Sequence, residues 1–195
     1  MRWILFAGIF GVMGCGETAR PLDEPPNAAA VPQENPAESE EEPSSAAKAN
    51  LPAIVSEKPR TAGDPVGVQL ILSESEFRRG TTFEVSVVLR VSPGYEIHDL
   101  NSPPPTIPTR LDLELPARFR ALGGWSAPEP VRSQMPEGHR VYMGEAKFTR
   151  EIWIGEDIEP GEYRLNCSIR YQACTSRQCL APKECQLLAT VSVRP

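Results

Sequence analysis

The strongest constraint on the fold is a regular alternation of apolar residues with polar or small residues along several segments. The clearest runs are Val66, Val68, Leu70 and Leu72, then Phe83, Val85, Val87, Leu89 and Val91, then Leu111, Leu113 and Leu115. A period of two is typical of strands with one buried and one solvated face, and no window shows the period of an amphipathic helix. Turn dipeptides such as Pro93-Gly94 separate the runs. The pattern predicts an all-β, immunoglobulin-like antiparallel sandwich, with a small barrel as the alternative.

The N-terminus predicts export. Met1-Arg2 is followed by an apolar run over residues 3–13, which is too short to span a bilayer but suits the core of a signal peptide. The run leads into Gly14-Cys15, which resembles the lipidation signal of bacterial lipoproteins. By that resemblance residues 1–15 hold the signal and Cys15 becomes the lipidated first residue. The alternative is an ordinary secretory signal with an unrelated cysteine, and either route leads to a compartment in which disulfides persist.

Residues 16–65 differ in composition from the rest of the chain. They are rich in proline, alanine and glutamate, contain no aromatic residue, and carry ten acids against four bases. Such a segment cannot bury enough apolar surface to offset the entropy of ordering, so we expect a disordered tether there. The remaining residues, 66–195, are of the size of one domain. Basic patches interleaved with aromatic residues are missing, so we expect no nucleic-acid partner.

Four cysteines fall in the predicted domain, and strand parity sorts them into two pairs. Cys174 and Cys179 flank a polar turn between two alternating segments. Cys167 and Cys185 have the parity of the core-facing residues and come roughly opposite each other if the segments pair through that turn. We therefore expect an exposed Cys174–Cys179 disulfide that can open by thiol exchange. The inner pair is either a structural disulfide or two buried apolar thiols.

Other interpretations of these residues remain open. The hairpin disulfide could be a static cross-link, which would make the domain a non-catalytic lipoprotein that binds proteins through its sandwich. The spacing of the cysteines lacks the Cys-x2-Cys knuckles of structural zinc sites, so we expect neither a metal nor a cofactor. His98 and His139 lie in no catalytic motif, and we expect them at the surface or in loops.

The hairpin also carries a family resemblance. Tyr171-Gln172-Ala173-Cys174, followed by Cys179-Leu180-Ala181-Pro182, resembles the active-site hairpin of the N-terminal domain of the thiol:disulfide interchange protein DsbD. The similarity covers most of residues 66–193 and includes Pro93-Gly94-Tyr95-Glu96-Ile97-His98 in the matching order. It implies an immunoglobulin-like fold in which Cys174 and Cys179 are the catalytic pair. That pair would take electrons from a thioredoxin-like donor and pass them to periplasmic thiol oxidoreductases or substrates.

The same resemblance implies a cap over the cysteines. Val141-Tyr142-Met143-Gly144 occupies the place of the family's aromatic cap loop, so Tyr142 would shield the sulfur atoms with Met143 beside it. The chain departs from the family in having Arg140 and Val141 where other members carry acidic residues. The membrane-embedded and thioredoxin-like portions of the family are not in the sequence, so we expect the donor to be another protein. The expected protein is a shuttle domain on a lipid anchor, facing the periplasm from the outer membrane.

Overall fold

The alternating segments form strands in a computed structural model of the chain, which describes residues 53–133 and 138–195. In chain order these strands are β1 (Ala53–Lys58), β2 (Val66–Leu72), β3 (Glu76–Arg78), β4 (Thr82–Val91), β5 (Glu96–His98), β6 (Arg110–Glu114), β7 (Phe119–Ser126), β8 (Val131–Arg132), β9 (Arg140–Tyr142), β10 (Glu145–Ile154), β11 (Gly161–Tyr171), β12 (Ala173–Cys174) and β13 (Lys183–Arg194). Across these two ranges there is no helix long and apolar enough to cross a membrane. The all-β prediction is confirmed.

The strands are arranged in three sheets. A five-stranded sheet has the order β1-β2-β4-β10-β7, and all its neighbours are antiparallel. A four-stranded sheet has the order β3-β13-β11-β6, in which β3 and β13 run parallel and the other pairs antiparallel. A short antiparallel sheet, β12-β5-β9-β8, contains Cys174. Each sheet has two free edges in this strand order, so the architecture is a sandwich and not a closed barrel.

The alternating residues supply the core between the two larger sheets. Along β2, every second residue from Val66 to Leu72 is fully buried, and the residues between are partly exposed. The facing strands β11 and β13 contribute odd-numbered side chains to the same apolar cluster, including Leu165, Ile169, Tyr171, Leu187, Val191 and Val193. Burying one such aliphatic side chain is worth about 1.5–3 kcal/mol, so this shared cluster is what holds the sheets together.

The folded domain begins earlier than the predicted boundary at residue 66. β1 lies within the segment predicted to be tether, yet it pairs antiparallel with β2. At the end of β1, Lys58 Nζ lies 2.8 Å from Asp64 Oδ2, and the Tyr171 hydroxyl donates to the same oxygen at 2.8 Å. The prediction was wrong for residues 53–65 because a composition averaged over the whole segment conceals a six-residue strand. The signal peptide, Cys15 and the rest of the tether lie outside the described residues.

Candidate redox site

Cys174 and Cys179 are joined by a disulfide, with an S–S distance of 2.05 Å and Cα atoms 3.9 Å apart. The two residues form an antiparallel bridge in the connection between β11 and β13. Next to the bridge, the Leu180 N–H donates to Ala173 O at 2.8 Å. This hydrogen bond joins the residues that flank the two cysteines, so Cys174 and Cys179 form a non-hydrogen-bonded pair. Such pairs have the closest side chains of an antiparallel ladder. The local backbone therefore holds the two cysteines in the register that a disulfide needs.

The turn between the cysteines is stabilised by its first residue. The Thr175 N–H donates to Gln178 O at 2.8 Å, which closes the turn. Thr175 Oγ1 accepts hydrogen bonds from the backbone N–H groups of Arg177 at 3.3 Å and Gln178 at 3.2 Å. Short hydroxyl side chains stabilise turns in this way. The shape of the hairpin therefore does not depend on the disulfide alone.

The two ends of the disulfide differ in exposure. Cys179 is exposed, whereas Cys174 is 1% exposed because it lies in β12, which pairs with β5. An incoming thiolate can reach Cys179 directly, and Cys174 is covered. The expectation of an exposed pair was wrong for Cys174. Parity does turn this residue away from the main core, but the short sheet covers the other side of the hairpin.

The residue directly opposite Cys174 is Glu96 on β5. Its side chain is 5% exposed and accepts a hydrogen bond from Ser133 Oγ. The Ser133 backbone N–H donates to His139 O at 2.7 Å. A carboxyl group thus lies beside the buried half of the disulfide. Sequence reasoning gave Glu96 no role of its own, because a three-residue strand shows no alternation from which burial could be inferred.

The histidines lie close to this acid. His98, also on β5, is 3% exposed, so the expectation of a surface or loop position was wrong for this residue. Its ring lies edge-on to that of His139, with centroids 5.8 Å apart. Burial lowers the pKa of His98, and a hydrogen bond to the backbone of Ile107 partly opposes that shift. The His98 imidazole is therefore neutral at pH 7.

The expected cap residues lie two strands away from the disulfide. Tyr142 is opposite Ile97, and Ile97 is opposite Ala173, so these three side chains share the face that packs in the core. The side chain of Cys174, next to Ala173, belongs to the opposite face. Tyr142 is 5% exposed and therefore buried in the core instead of shielding the sulfur atoms. Met143 directly follows β9 and is exposed, with 40% of its surface accessible.

The expected disulfide between Cys167 and Cys185 is not formed, and both residues are free thiols. Cys167 is opposite Leu187, which lies two residues beyond Cys185 on β13, so the two cysteines are diagonal neighbours. The expectation that Cys167 and Cys185 lie roughly opposite each other was wrong, because the turn does not fix the register of the ladder. Burial is the main cause that raises the pKa of Cys167 to about 12. Cys167 and Cys185 therefore match the second alternative for the inner pair, two thiols that act as small apolar side chains.

Metal binding finds no support in the part of the chain that the structure describes. No group of three or more histidine, cysteine, aspartate or glutamate side chains lies together there in a way that could hold an ion. The reactive group that the structure shows at this site is the Cys174–Cys179 disulfide. One sulfur is exposed to attack, and the other is buried beside an acid.

No protein-family model matches the sequence, and no curated protein sequence matches it. Solved structures do share its fold. The N-terminal periplasmic domain of ScsB from Proteus mirabilis aligns with a TM-score of 0.51 and 12% sequence identity, over 73% of this chain and 53% of that one. This chain thus spans about half the length of the ScsB structure.

Two further structures align less closely. The reduced N-terminal domain of DsbD from Neisseria meningitidis gives a TM-score of 0.37 at 17% identity, over 55% of this chain and 75% of that one. The GAE domain of GGA2p from Saccharomyces cerevisiae gives 0.36 at 6% identity, over 71% and 96%. Neither of these two alignments is close enough to indicate a shared fold. The ScsB alignment concerns the fold alone, which is an all-β, immunoglobulin-like sandwich.

Proposed function

We propose that this chain is a thiol:disulfide exchange module of the bacterial cell envelope, with Cys174 and Cys179 as its working pair. The observation that carries the proposal is the unequal exposure of one short-range disulfide, with Cys179 exposed and Cys174 1% exposed. A purely structural cross-link needs no accessible sulfur, whereas exchange needs one sulfur that a partner can reach. The resemblance of the hairpin to that of the DsbD N-terminal domain points to the same chemistry.

The exchange begins at Cys179. A thiolate of the partner attacks the Cys179 sulfur, a bond forms between these two atoms, and the Cys174–Cys179 bond breaks with its electron pair going to Cys174. A second thiolate of the same partner then attacks its own sulfur in the mixed disulfide and releases Cys179. The partner is oxidised to a disulfide, and the hairpin is reduced to a dithiol. Run in the opposite direction, these steps pass two electrons to an oxidised acceptor.

The partners we propose are a thioredoxin-like donor and periplasmic thiol oxidoreductases or substrates. A donor with two neighbouring thiols supplies both attacking groups of the sequence above. Lipidation at Cys15 would hold the module on the outer membrane, facing the periplasm, and residues 16–52 would separate the folded domain from the lipid surface. This arrangement keeps the hairpin within reach of soluble partners.

Trapping with single-cysteine variants tests the proposal. Cys174→Ser leaves the exposed Cys179 with no internal partner. Oxidised together with a thioredoxin-like protein whose own resolving cysteine is replaced, this variant should form a stable mixed disulfide. Cys179→Ser leaves only the covered thiol of the pair and should retain much less. Cys185→Ser is the matched control, because it removes a half-buried thiol outside the hairpin. The readout is the mass of the covalent complex, with and without reductant.

A redox titration separates the proposal from its main alternative. We expect the wild-type disulfide to be reduced by a thioredoxin-like protein in buffers where a structural bond persists. A reduction potential below about −300 mV, together with no complex from either hairpin variant, would contradict the exchange function. The domain would then be a non-catalytic immunoglobulin-like lipoprotein with a static cross-link.

A further inference from the structure

A buried acid stands beside the buried cysteine. Glu96 on β5 is directly opposite Cys174 on β12, and their side chains are 5% and 1% exposed. Opposed residues of an antiparallel pair point to the same face, with Cβ atoms about 4.5–5.5 Å apart. The side chains of Glu96 and Cys174 are therefore neighbours on one face of the short sheet, and both are buried there.

Glu96 lies among other polar and titratable side chains. The Ser133 hydroxyl donates to one of its carboxylate oxygens. Burial lowers the pKa of His98, two residues along the same strand, so the neighbouring imidazole is neutral near pH 7. The Asp99 carboxylate lies 3.8 Å from the Arg140 guanidinium, which is directed to that acid. The titratable and charged residues on the elements around Glu96 are Cys174 on β12, His98 and Asp99 at β5, Arg132 on β8, and His139 and Arg140 at β9.

We infer that Glu96 is the proton partner of Cys174, an inference that rests on the proposed exchange function. A thiolate and a carboxylate buried side by side disfavour each other, so the reduced pair retains one proton between them. That proton keeps Cys174 as a neutral thiol while Glu96 is charged. This role is absent from the sequence resemblance, which places acids at the positions of Arg140 and Val141 instead.

The proton balances both directions of exchange. When a partner thiolate attacks Cys179, the Cys174–Cys179 bond breaks and the electron pair goes to the Cys174 sulfur. A proton from water then reaches that sulfur through the Glu96 carboxyl group, which is a carboxylate both before and after the step. In the reverse step the Glu96 carboxylate removes the proton as Cys174 attacks the mixed disulfide at Cys179, and the partner leaves as a thiolate.

The test is a pH titration of Cys174 in the reduced wild-type chain, monitored by NMR of carbon-13-labelled cysteine. Glu96→Gln keeps the shape of the side chain and removes its charge. We expect it to lower the pKa of Cys174 by at least about one unit, so that roughly tenfold more thiolate is present at a given pH. Glu145→Gln is the matched control, because Glu145 is an exposed carboxylate on β10, paired with Arg90, and should leave the titration unchanged.

A second readout follows the chemistry. The rate at which Cys174 releases a partner from Cys179 should rise with pH in the wild-type chain, and this profile should move to lower pH in Glu96→Gln. Should Glu96→Gln not fold, Ser133→Ala removes the hydrogen bond that Ser133 Oγ donates to the Glu96 carboxylate and should still move the Cys174 titration. Identical Cys174 titrations in the wild-type chain and both variants would overturn the inference, and exchange with a thioredoxin-like protein would still support the proposed function. A shifted titration without any exchange would support the Glu96 pair and overturn the function.

Discussion

At the scale of single residues, Cys167 is the thiol that we expect to react most slowly. Burial raises its pKa to about 12, and the neighbouring Cys185 and Asp112 add to the shift. Because the raised pKa favours the neutral thiol at every lower pH, the thiolate fraction near pH 8 is about a thousandfold below that of an ordinary cysteine. In the reduced native protein, alkylation should reach Cys179 first and Cys167 only on unfolding.

Mass spectrometry of peptides from native and urea-unfolded samples measures this order directly. Half-buried Cys185 should be labelled at an intermediate rate, because burial also raises its pKa while Lys58 partly lowers it. Equal labelling of Cys167 and Cys179 in the native protein would contradict the burial described above. Failure to label Cys167 and Cys185 after unfolding without reductant would show that they form a disulfide.

At the scale of elements, we expect the removal of β1 to destabilise the domain, although the sequence predicted that segment to be part of a disordered tether. A fragment that begins at Val66 lacks both Lys58 and Asp64, so the buried Tyr171 hydroxyl loses its two side-chain partners. β2 also loses the neighbour on its outer edge. We expect residues 66–195 to be less stable than residues 53–195 by at least about 2 kcal/mol, most of it from the unsatisfied buried hydroxyl.

Urea unfolding of the two fragments checks the cost of losing β1. Tyr171→Phe in the longer fragment serves as the matched control, because it removes the hydroxyl and keeps the strand. The loss of stability caused by Tyr171→Phe should be smaller than the loss seen in the shortened fragment. Equal unfolding midpoints for the two fragments would mean that β1 contributes nothing to the domain.

The same scale explains which elements could be predicted. Alternation is a local property of the chain, so it revealed long strands such as β2 and β4, each with its buried face. Strands of two or three residues, such as β5 and β12, contain too little sequence to show a period, and their pairing depends on partners far along the chain. For that reason the parity argument placed Cys174 off the core correctly but missed the strand that covers it.

Register was the second quantity that the sequence could not supply. The ladder pairs Tyr171 with Lys183, while the hairpin tip pairs Cys174 with Cys179. The chain advances three residues on the outgoing side and four on the returning side, so one extra residue lies between the tip and the ladder. An irregularity of this kind shifts every pair below it. Extended from the tip, the register would place Cys167 opposite Gln186, and the extra residue moves its partner to Leu187, two residues from Cys185.

At the scale of the whole molecule, the lipid anchor makes a testable prediction about location. If Cys15 is lipidated, the wild-type protein should fractionate with membranes and enter the detergent phase. Cys15→Ser should move it to the soluble fraction or leave its signal peptide uncleaved. Cys185→Ser is a suitable control, because it removes a cysteine from the folded domain and should not change fractionation. A soluble wild-type protein that is cleaved elsewhere would contradict the anchor.

Burial of one end of the disulfide also limits how many partners a molecule can carry. Of the two hairpin cysteines, Cys179 is the exposed one, so under the proposed exchange the hairpin would form one covalent adduct at a time, whatever the excess of thiols around it. While that adduct exists, the freed Cys174 is enclosed within the fold and cannot be captured by a third protein. Release of the bound partner would therefore be a reaction inside one covalent complex, at a rate that does not depend on the concentration of the protein.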